Sequence, residues 1–253
     1  MQRVEFEKRL KMLLNPQLFR DYAPNGLQVE GKDTISKVVT GVTASQALID
    51  KAVEMKADAL VVHHGYFWKG EAPEITGMKY RRISALIKND INLFGYHLPM
   101  DAHPIYGNNA GLAASLGLNE LESLEQGKPL AESIGLVGKL PDSECCAVFK
   151  ERIEKAVGRD VLFEKTSDAL VQRVALCTGG AQGYITKAVE LGADVFITGE
   201  VSEKTIHEAR ELGIHFVAAG HHATERFGPI GMAKFISEEL GINAEFVDID
   251  NPA

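Results

Sequence analysis

Five side chains carry the chemistry that this sequence offers most openly: His63, His64, Asp101, His221 and Glu225. Imidazole nitrogens mixed with carboxylate oxygens form a donor set for divalent transition metals, and a carboxylate able to bridge suits a pair of ions. His63-His64 closes the apolar run ADALVV, and His97 closes INLFGY four residues before Asp101. His221-His222 closes IHFVAAG, with Glu225 four residues after His221. HLPMD (97–101) and HHATE (221–225) therefore share an H-x-x-x-[D/E] pattern, which in a helical turn sets both side chains on one face. Consecutive histidines at a strand end can splay to serve two ions, and so few protein ligands leave positions open for water or substrate. A lone strand-end histidine is more often a satisfied polar residue than a ligand. The weight comes from five of eight histidines ending three apolar runs, each beside a carboxylate or another histidine.

Other groups could serve such a site. Histidine as a residue type suits proton transfer near neutral pH, and His97 and His222 are the candidates for that role. Tyr66 and Trp68, in the run Tyr66-Phe67-Trp68, could stack on a planar substrate or equally pack a subunit interface. Glu200 could face substrate or support a ligand. Lys79, Arg81 and Arg82 read better as a solvated helix face than as a phosphate site. Gly179-Gly180 lacks the rest of a GxGxxG or Walker pattern, no GxSxG elbow occurs, and no cysteine has an arranged histidine partner in view.

The elements that must position these residues occur twice. VVTGVTASQALIDKAVEMKADALVVHH (38–64) aligns without gaps on VALCTGGAQGYITKAVELGADVFITGE (174–200), with nine of 27 positions identical at an offset of 136. Each copy reads as strand, helix, strand, and a further helix and strand follow at 80–96 and 202–219. Glu200 stands at the second copy's equivalent of His64. Strands alternating with helices predict an α/β fold of two similar units from an internal duplication, each a mixed sheet covered by helices. The dimetal site is then expected between the lobes, at the carboxyl ends of strands. Residues 1–120 form the first expected unit and 121–223 the second, with strand, helix and strand predicted at 134–140, 144–157 and 161–164. A helix over 232–240 and a strand over 244–249 follow, and this C-terminal piece (224–253) could return to the first unit.

Bulk properties narrow the function. The 253 residues carry a formal charge of -8, which argues against nucleic acid as a partner. Cys145, Cys146 and Cys177 make no CxxC pair and suit reduced thiols. The N-terminal Val4, Leu10, Leu13 and Leu14 read as an amphipathic helix rather than a signal peptide, and no apolar stretch approaches a membrane span. A cytoplasmic protein is expected.

NGLQVEG (25–31), TGVTASQ (40–46), VVHHGYFWKGE (61–71), YHLPMDAHP (96–104), ITGEVSEKTIHEAR (197–210) and AAGHHATER (218–226) closely resemble the NIF-three-like family of type-2 GTP cyclohydrolase I homologues, nearest its bacterial YbgI-like branch. The resemblance runs from about residue 20 to the C-terminus and is thinnest across 120–170. It implies that His63, His64, Asp101, His221 and Glu225 hold two divalent ions of zinc, iron or manganese, with His97 and His222 close by outside the ligand set. It also implies two similar α/β domains and a ring-shaped homohexamer with the metal sites facing its cavity. The expected function is a metal-dependent hydrolase of a nucleotide-like or other small anionic substrate. A metal-handling or partner-binding protein without catalysis, and a metal-dependent oxidase, stand as alternatives.

Overall fold

The computed structural model describes Met1–Ala253. Along the chain run α1 (Arg3–Leu14), β1 (Gly26–Val29), β2 (Lys37–Thr43), α2 (Gln46–Glu54), β3 (Ala59–His64), α3 (Gly77–Lys88), β4 (Asn92–Gly95), α4 (Leu98–Ala102) and α5 (Asn108–Leu116). Then come β5 (Asn119–Ser123), β6 (Leu136–Glu144), α6 (Cys146–Val157), β7 (Leu162–Glu164), β8 (Val171–Leu176), α7 (Ile185–Glu190) and β9 (Val195–Thr198). The remainder is α8 (Glu203–Leu212), β10 (His215–Ala218), α9 (His221–Thr224), α10 (Phe227–Glu238) and β11 (Asn243–Phe246). No helix is long and apolar enough to cross a membrane.

The chain divides into two units, Met1–Met100 with Gly228–Asp250 and Asp101–Phe227 with Asn251–Ala253. The first holds a five-stranded sheet in the order β1-β4-β3-β2-β11, parallel except for β1. The second holds a six-stranded sheet, β5-β6-β8-β9-β10-β7, whose central β8, β9 and β10 are parallel and whose other pairings are antiparallel. Both are mixed sheets with helices packed on them, as the alternating pattern predicts. β11 pairs with β2, which places the C-terminal strand in the first unit's sheet.

The division falls at Met100/Asp101 rather than at 120. The reason is α5, whose Leu112, Ala113 and Leu116 join the core around Phe149 and Ile153, and β5, which pairs with β6. α10 begins at Phe227, ahead of the expected 232, because Pro229 sits in its first turn, where a missing N–H costs nothing. In α1 the buried stripe is Phe6, Leu10 and Leu14, while Val4 faces solvent.

The duplication extends to register. Val38 pairs Ala59 in one sheet and Val174 pairs Val195 in the other, each shifted by 136 residues. The identical aspartates of the two copies do the same work. Asp58 accepts from the N–H groups of Ser36 and Lys37, and Asp194 from those of Gln172 and Arg173. A carboxylate thus caps the start of β2 and of β8, and register is held where the buried strands begin.

Burial alone would raise Asp58, but hydrogen bonds from Lys32, Ser36 and Lys37 outweigh it and bring the carboxyl from 3.8 to about 2. The folded value lies below the unfolded one, so the stabilisation, up to about 2 kcal/mol, is complete above about pH 4 and vanishes toward pH 2. Asp58→Asn is expected to flatten the acid limb of a stability–pH curve measured by urea unfolding. A variant with an unchanged acid limb would show that this carboxylate does not cap the strand.

Candidate metal centre

In the first unit the parallel strands end where the histidines begin. β3 terminates in His63-His64, and β4 is followed by Tyr96 and His97. His63, His64 and His97 each offer a ring nitrogen within 4.8 Å of the other two. The His63 ring centroid lies 4.4 Å from His64 and 5.1 Å from His97.

Each imidazole is held through Nδ1. His63 Nδ1 donates to the Tyr96 carbonyl at 3.3 Å, His64 Nδ1 lies 3.2 Å from Thr43 Oγ1, and His97 Nδ1 donates to Asp21 Oδ1 at 2.7 Å. A carbonyl can only accept, so His63 carries a proton on Nδ1, and in the neutral ring Nε2 keeps its lone pair. Metal-binding histidines are oriented in this way, with the second nitrogen occupied by an oxygen. The donor chemistry of this unit fits a divalent ion.

The second unit gathers the oxygens. Carboxylate oxygens of Asp101 and Glu225 lie within 4.8 Å of one another, and His221 Nε2 lies 3.2 Å from Glu225 Oε2. His221 opens α9 and Glu225 closes it, so the i,i+4 pair shares a face as its spacing predicts. Glu200, just beyond β9, accepts from His221 Nδ1 at 2.7 Å. Burial alone would lower His221, but Glu225 first and then Glu200 outweigh it and raise the imidazole to about 9. Asp101 accepts from Asn108 Nδ2 at 2.9 Å and Thr178 Oγ1 at 3.3 Å.

The remaining candidates separate. Trp68 stays at the site: its indole N–H donates to the Gly65 carbonyl, and its ring stands edge-on to His97 with centroids 4.9 Å apart. Tyr66 does not. It is 5% exposed with its hydroxyl donating to the Ala44 carbonyl, so the turn of the chain after β3 puts it into the core. His222 is buried, and its backbone N–H donates to the Ala253 carbonyl. Lys79 lies 3.3 Å from Glu71 and reaches over the Phe67 ring, so it is committed to the loop after β3. Phe67 itself holds a positive φ of 65°, a strained backbone that such loops store near functional groups.

Several supporting residues were not visible in the sequence. Asp21, Asn25 and Thr178 act through contacts 76, 72 and 77 residues away along the chain, Asn108 through one only 7 residues away, and no short motif marks them. Gly179, seen only as half of an incomplete glycine motif, packs against Glu225 so closely that a Cβ there would overlap Oε1. The expectation that no cysteine has a histidine partner is overturned: Cys146 Sγ lies 3.4 Å from His215 Nε2, joining residues 69 apart. Thr166 N–H donates to His215 Nδ1 at 3.2 Å, so Nε2 carries the proton toward sulfur. Burial raises the thiol, which stays protonated. This pair is a structural clamp, not a nucleophile and its base.

Comparison with known proteins finds relatives along the whole length of the chain. A curated protein of Haemophilus influenzae named GTP cyclohydrolase 1 type 2 homolog is 52% identical over the full length of both chains. One of the same name from Escherichia coli strain K12 is 53% identical, again over both full lengths. Among solved structures, protein ybgI, titled as of unknown function, matches with a TM-score of 0.95 at 52% identity over all of both chains. TTHA1606 from Thermus thermophilus matches at 0.90 and 34% identity, also over all of both. The sequence profile described as Duf34/NIF3 (NGG1p interacting factor 3) covers residues 1–252, and the chain belongs to this family.

Proposed function

We propose that this protein holds two divalent ions with His63, His64, Asp101, His221 and Glu225, and hydrolyses a nucleotide-like or other small anionic substrate. The observation that carries the reading is the sorting of donors. One unit offers three imidazoles through the nitrogens opposite their Nδ1 partners, and the other offers two clustered carboxylates beside an imidazole. Such an N/O set suits zinc, iron or manganese. The relatives' printed name, GTP cyclohydrolase 1 type 2 homolog, supports a purine nucleotide as the first substrate to try.

Held by His63, His64, Asp101, His221 and Glu225, divalent ions would supply Lewis acidity and a more acidic water. The chain's own residues do the rest. Asn108 and Thr178 keep the Asp101 carboxylate aimed, and Glu200 keeps His221 aimed through Nδ1. His97 presents Nε2 as a proton acceptor, and Trp68 beside it offers an edge for a planar ring. We read the protein as cytoplasmic and as a homohexamer, the latter measurable by sedimentation.

Elemental analysis of purified protein, followed by turnover of guanine nucleotides and phosphoesters by stripped and reconstituted chains, tests the function. Asp101→Asn is expected to reduce turnover at least about 100-fold, since even groups that only orient a ligand are worth 10–100-fold. Full activity in metal-stripped protein overturns the reading. Tight metal binding with no turnover on a broad panel would make the ions cargo or structural.

A further inference from the structure

His97 is held by a residue that neither the metal reading nor the internal duplication explains. Asp21 lies in the loop before β1, 76 residues from His97, and its side chain is only 3% exposed. Its carboxylate is saturated. Oδ1 accepts from its neighbour's Tyr22 N–H at 2.6 Å and from His97 Nδ1 at 2.7 Å. Oδ2 accepts from Asn25 Nδ2 and from the Leu98 N–H, each at 2.9 Å. Asn25 completes the clamp, its Oδ1 accepting the His97 N–H at 2.8 Å. Two residues of one loop thus hold the backbone and the ring of His97 together.

A carboxylate that receives four hydrogen bonds is an acceptor with no proton of its own to give. The hydrogen bonds from His97, Asn25 and Leu98 outweigh the effect of burial and hold Asp21 at about 2. Opposite such a group, the imidazole nitrogen that faces it must carry the hydrogen. In the neutral imidazole the other nitrogen, Nε2, is then left as a lone pair on a ring whose centroid lies 5.1 Å from that of His63 and 5.7 Å from that of His64.

The second unit reaches the same arrangement differently. His221 occupies the place in its H-x-x-x-E pattern that His97 has in H-x-x-x-D, and its Nδ1 also meets a carboxylate at 2.7 Å. That carboxylate, Glu200, follows β9 within the repeat, whereas Asp21 comes from outside it. Equivalent histidines are therefore oriented alike by non-equivalent acids, which argues that the orientation itself is what matters.

We propose that Asp21 is the positioning residue of this site: it locks His97 as the Nδ1–H tautomer, so that an Nε2 lone pair, and not an N–H, faces the His63 and His64 ligand atoms. His97 then acts there as a fixed acceptor, able to bind an ion directly or to take a proton from a group held by one. The proposal deepens the metal-centre reading and rests on it for its consequence, though not for its geometry.

Asn in place of Asp21 makes the distinction sharp. An amide keeps one acceptor oxygen and turns the other into an NH2 donor, which then faces hydrogen donors. On the Oδ2 side it meets the Leu98 N–H and the Asn25 amide. On the Oδ1 side it meets the Tyr22 N–H and His97, and of all these partners only His97 can respond, by moving its proton to Nε2. The amide is expected to settle on the Oδ1 side, and His97 to switch tautomer.

The experiment is long-range 1H–15N correlation of imidazole nitrogens in the full-length, metal-free chain, with His97 assigned by its loss in His97→Ala. The expected result is an Nδ1–H tautomer in the unmutated protein and an Nε2–H tautomer in Asp21→Asn. Zinc titration of the same samples should show affinity falling about 10–100-fold in Asp21→Asn, with no further loss when the change is made in a His97→Ala background. An Nε2–H tautomer in the unmutated chain overturns the proposal without any variant. An unchanged tautomer in Asp21→Asn, or an equal loss of affinity with and without His97, overturns it as well. If the unmutated chain binds no zinc, the metal-centre reading fails while the tautomer measurement still decides the role of Asp21.

Discussion

Glu225→Gln is expected to abolish tight divalent-metal binding while leaving the metal-free chain as stable as before. The Glu225 side chain is 3% exposed, with a carboxylate oxygen within 4.8 Å of one from Asp101. Two buried like charges at that range repel unless a cation or a proton is shared between them. Gln keeps the size of the side chain and removes one charge. His221 is not stranded by the change, because Glu200 still accepts from its Nδ1 at 2.7 Å. Calorimetry of the stripped variant should therefore find a stability within about 1 kcal/mol of the original, since the lost ion pair and the lost repulsion oppose each other. Zinc affinity should fall at least about 100-fold, because a direct ligand is worth no less than the groups that orient one. The stabilisation that a ligand at 100 times its Kd confers, about 2.7 kcal/mol, should disappear with it. Unaltered binding would remove Glu225 from the ligand set.

Two glycines beside the second unit's carboxylates should respond in opposite ways to the same methyl group. Gly179 holds φ at 69°, and a Cβ there would overlap Glu225 Oε1, the free end of a side chain that can swing away. Gly179→Ala is expected to fold with a loss of about 1–2 kcal/mol from the left-handed backbone, but to displace the carboxylate and weaken zinc binding at least about 10-fold. A Cβ on Gly199 would come within 2.6 Å of His221 Cα and 2.7 Å of the Gly179 carbonyl oxygen, and neither can move without the backbone. Gly199→Ala should therefore cost about 3 kcal/mol or more, seen as a shifted urea midpoint with unchanged slope. Normal zinc binding by Gly179→Ala would separate Glu225 from the metal. Normal stability of Gly199→Ala would show that the turn after β9 yields more easily than its geometry implies.

How much could be read in advance follows from how local each signal is. The strands β2, β3, β8 and β9 are legible because they are short, apolar and repeated, and the structure carries the same offset into their register. The helical placement of His221 and Glu225 followed from a spacing of four. α5 was not legible: Asn108, Asn109 and Gly111 are poor helix formers, and the helix stands because Leu112, Ala113 and Leu116 are buried in the second unit's core. The burial of Tyr66 is hidden from the sequence for a related reason. Beside a histidine pair an aromatic side chain looks functional, and only the turn of the chain after β3 decides that it enters the core.

By itself the sequence determined the donor chemistry and the duplicated scaffold. Residue types and spacings survive in one dimension, and an offset of 136 preserves them twice. Tertiary structure alone decided which partner each imidazole turns its second nitrogen toward. Tyr96, Thr43, Asp21 and Glu200 lie between 21 and 76 residues from the histidines they orient. Hydrogen bonds act over about 3 Å and their direction depends on backbone placement, so such partners leave no periodic trace along the chain. They nonetheless set which nitrogen of each histidine is left to a ligand.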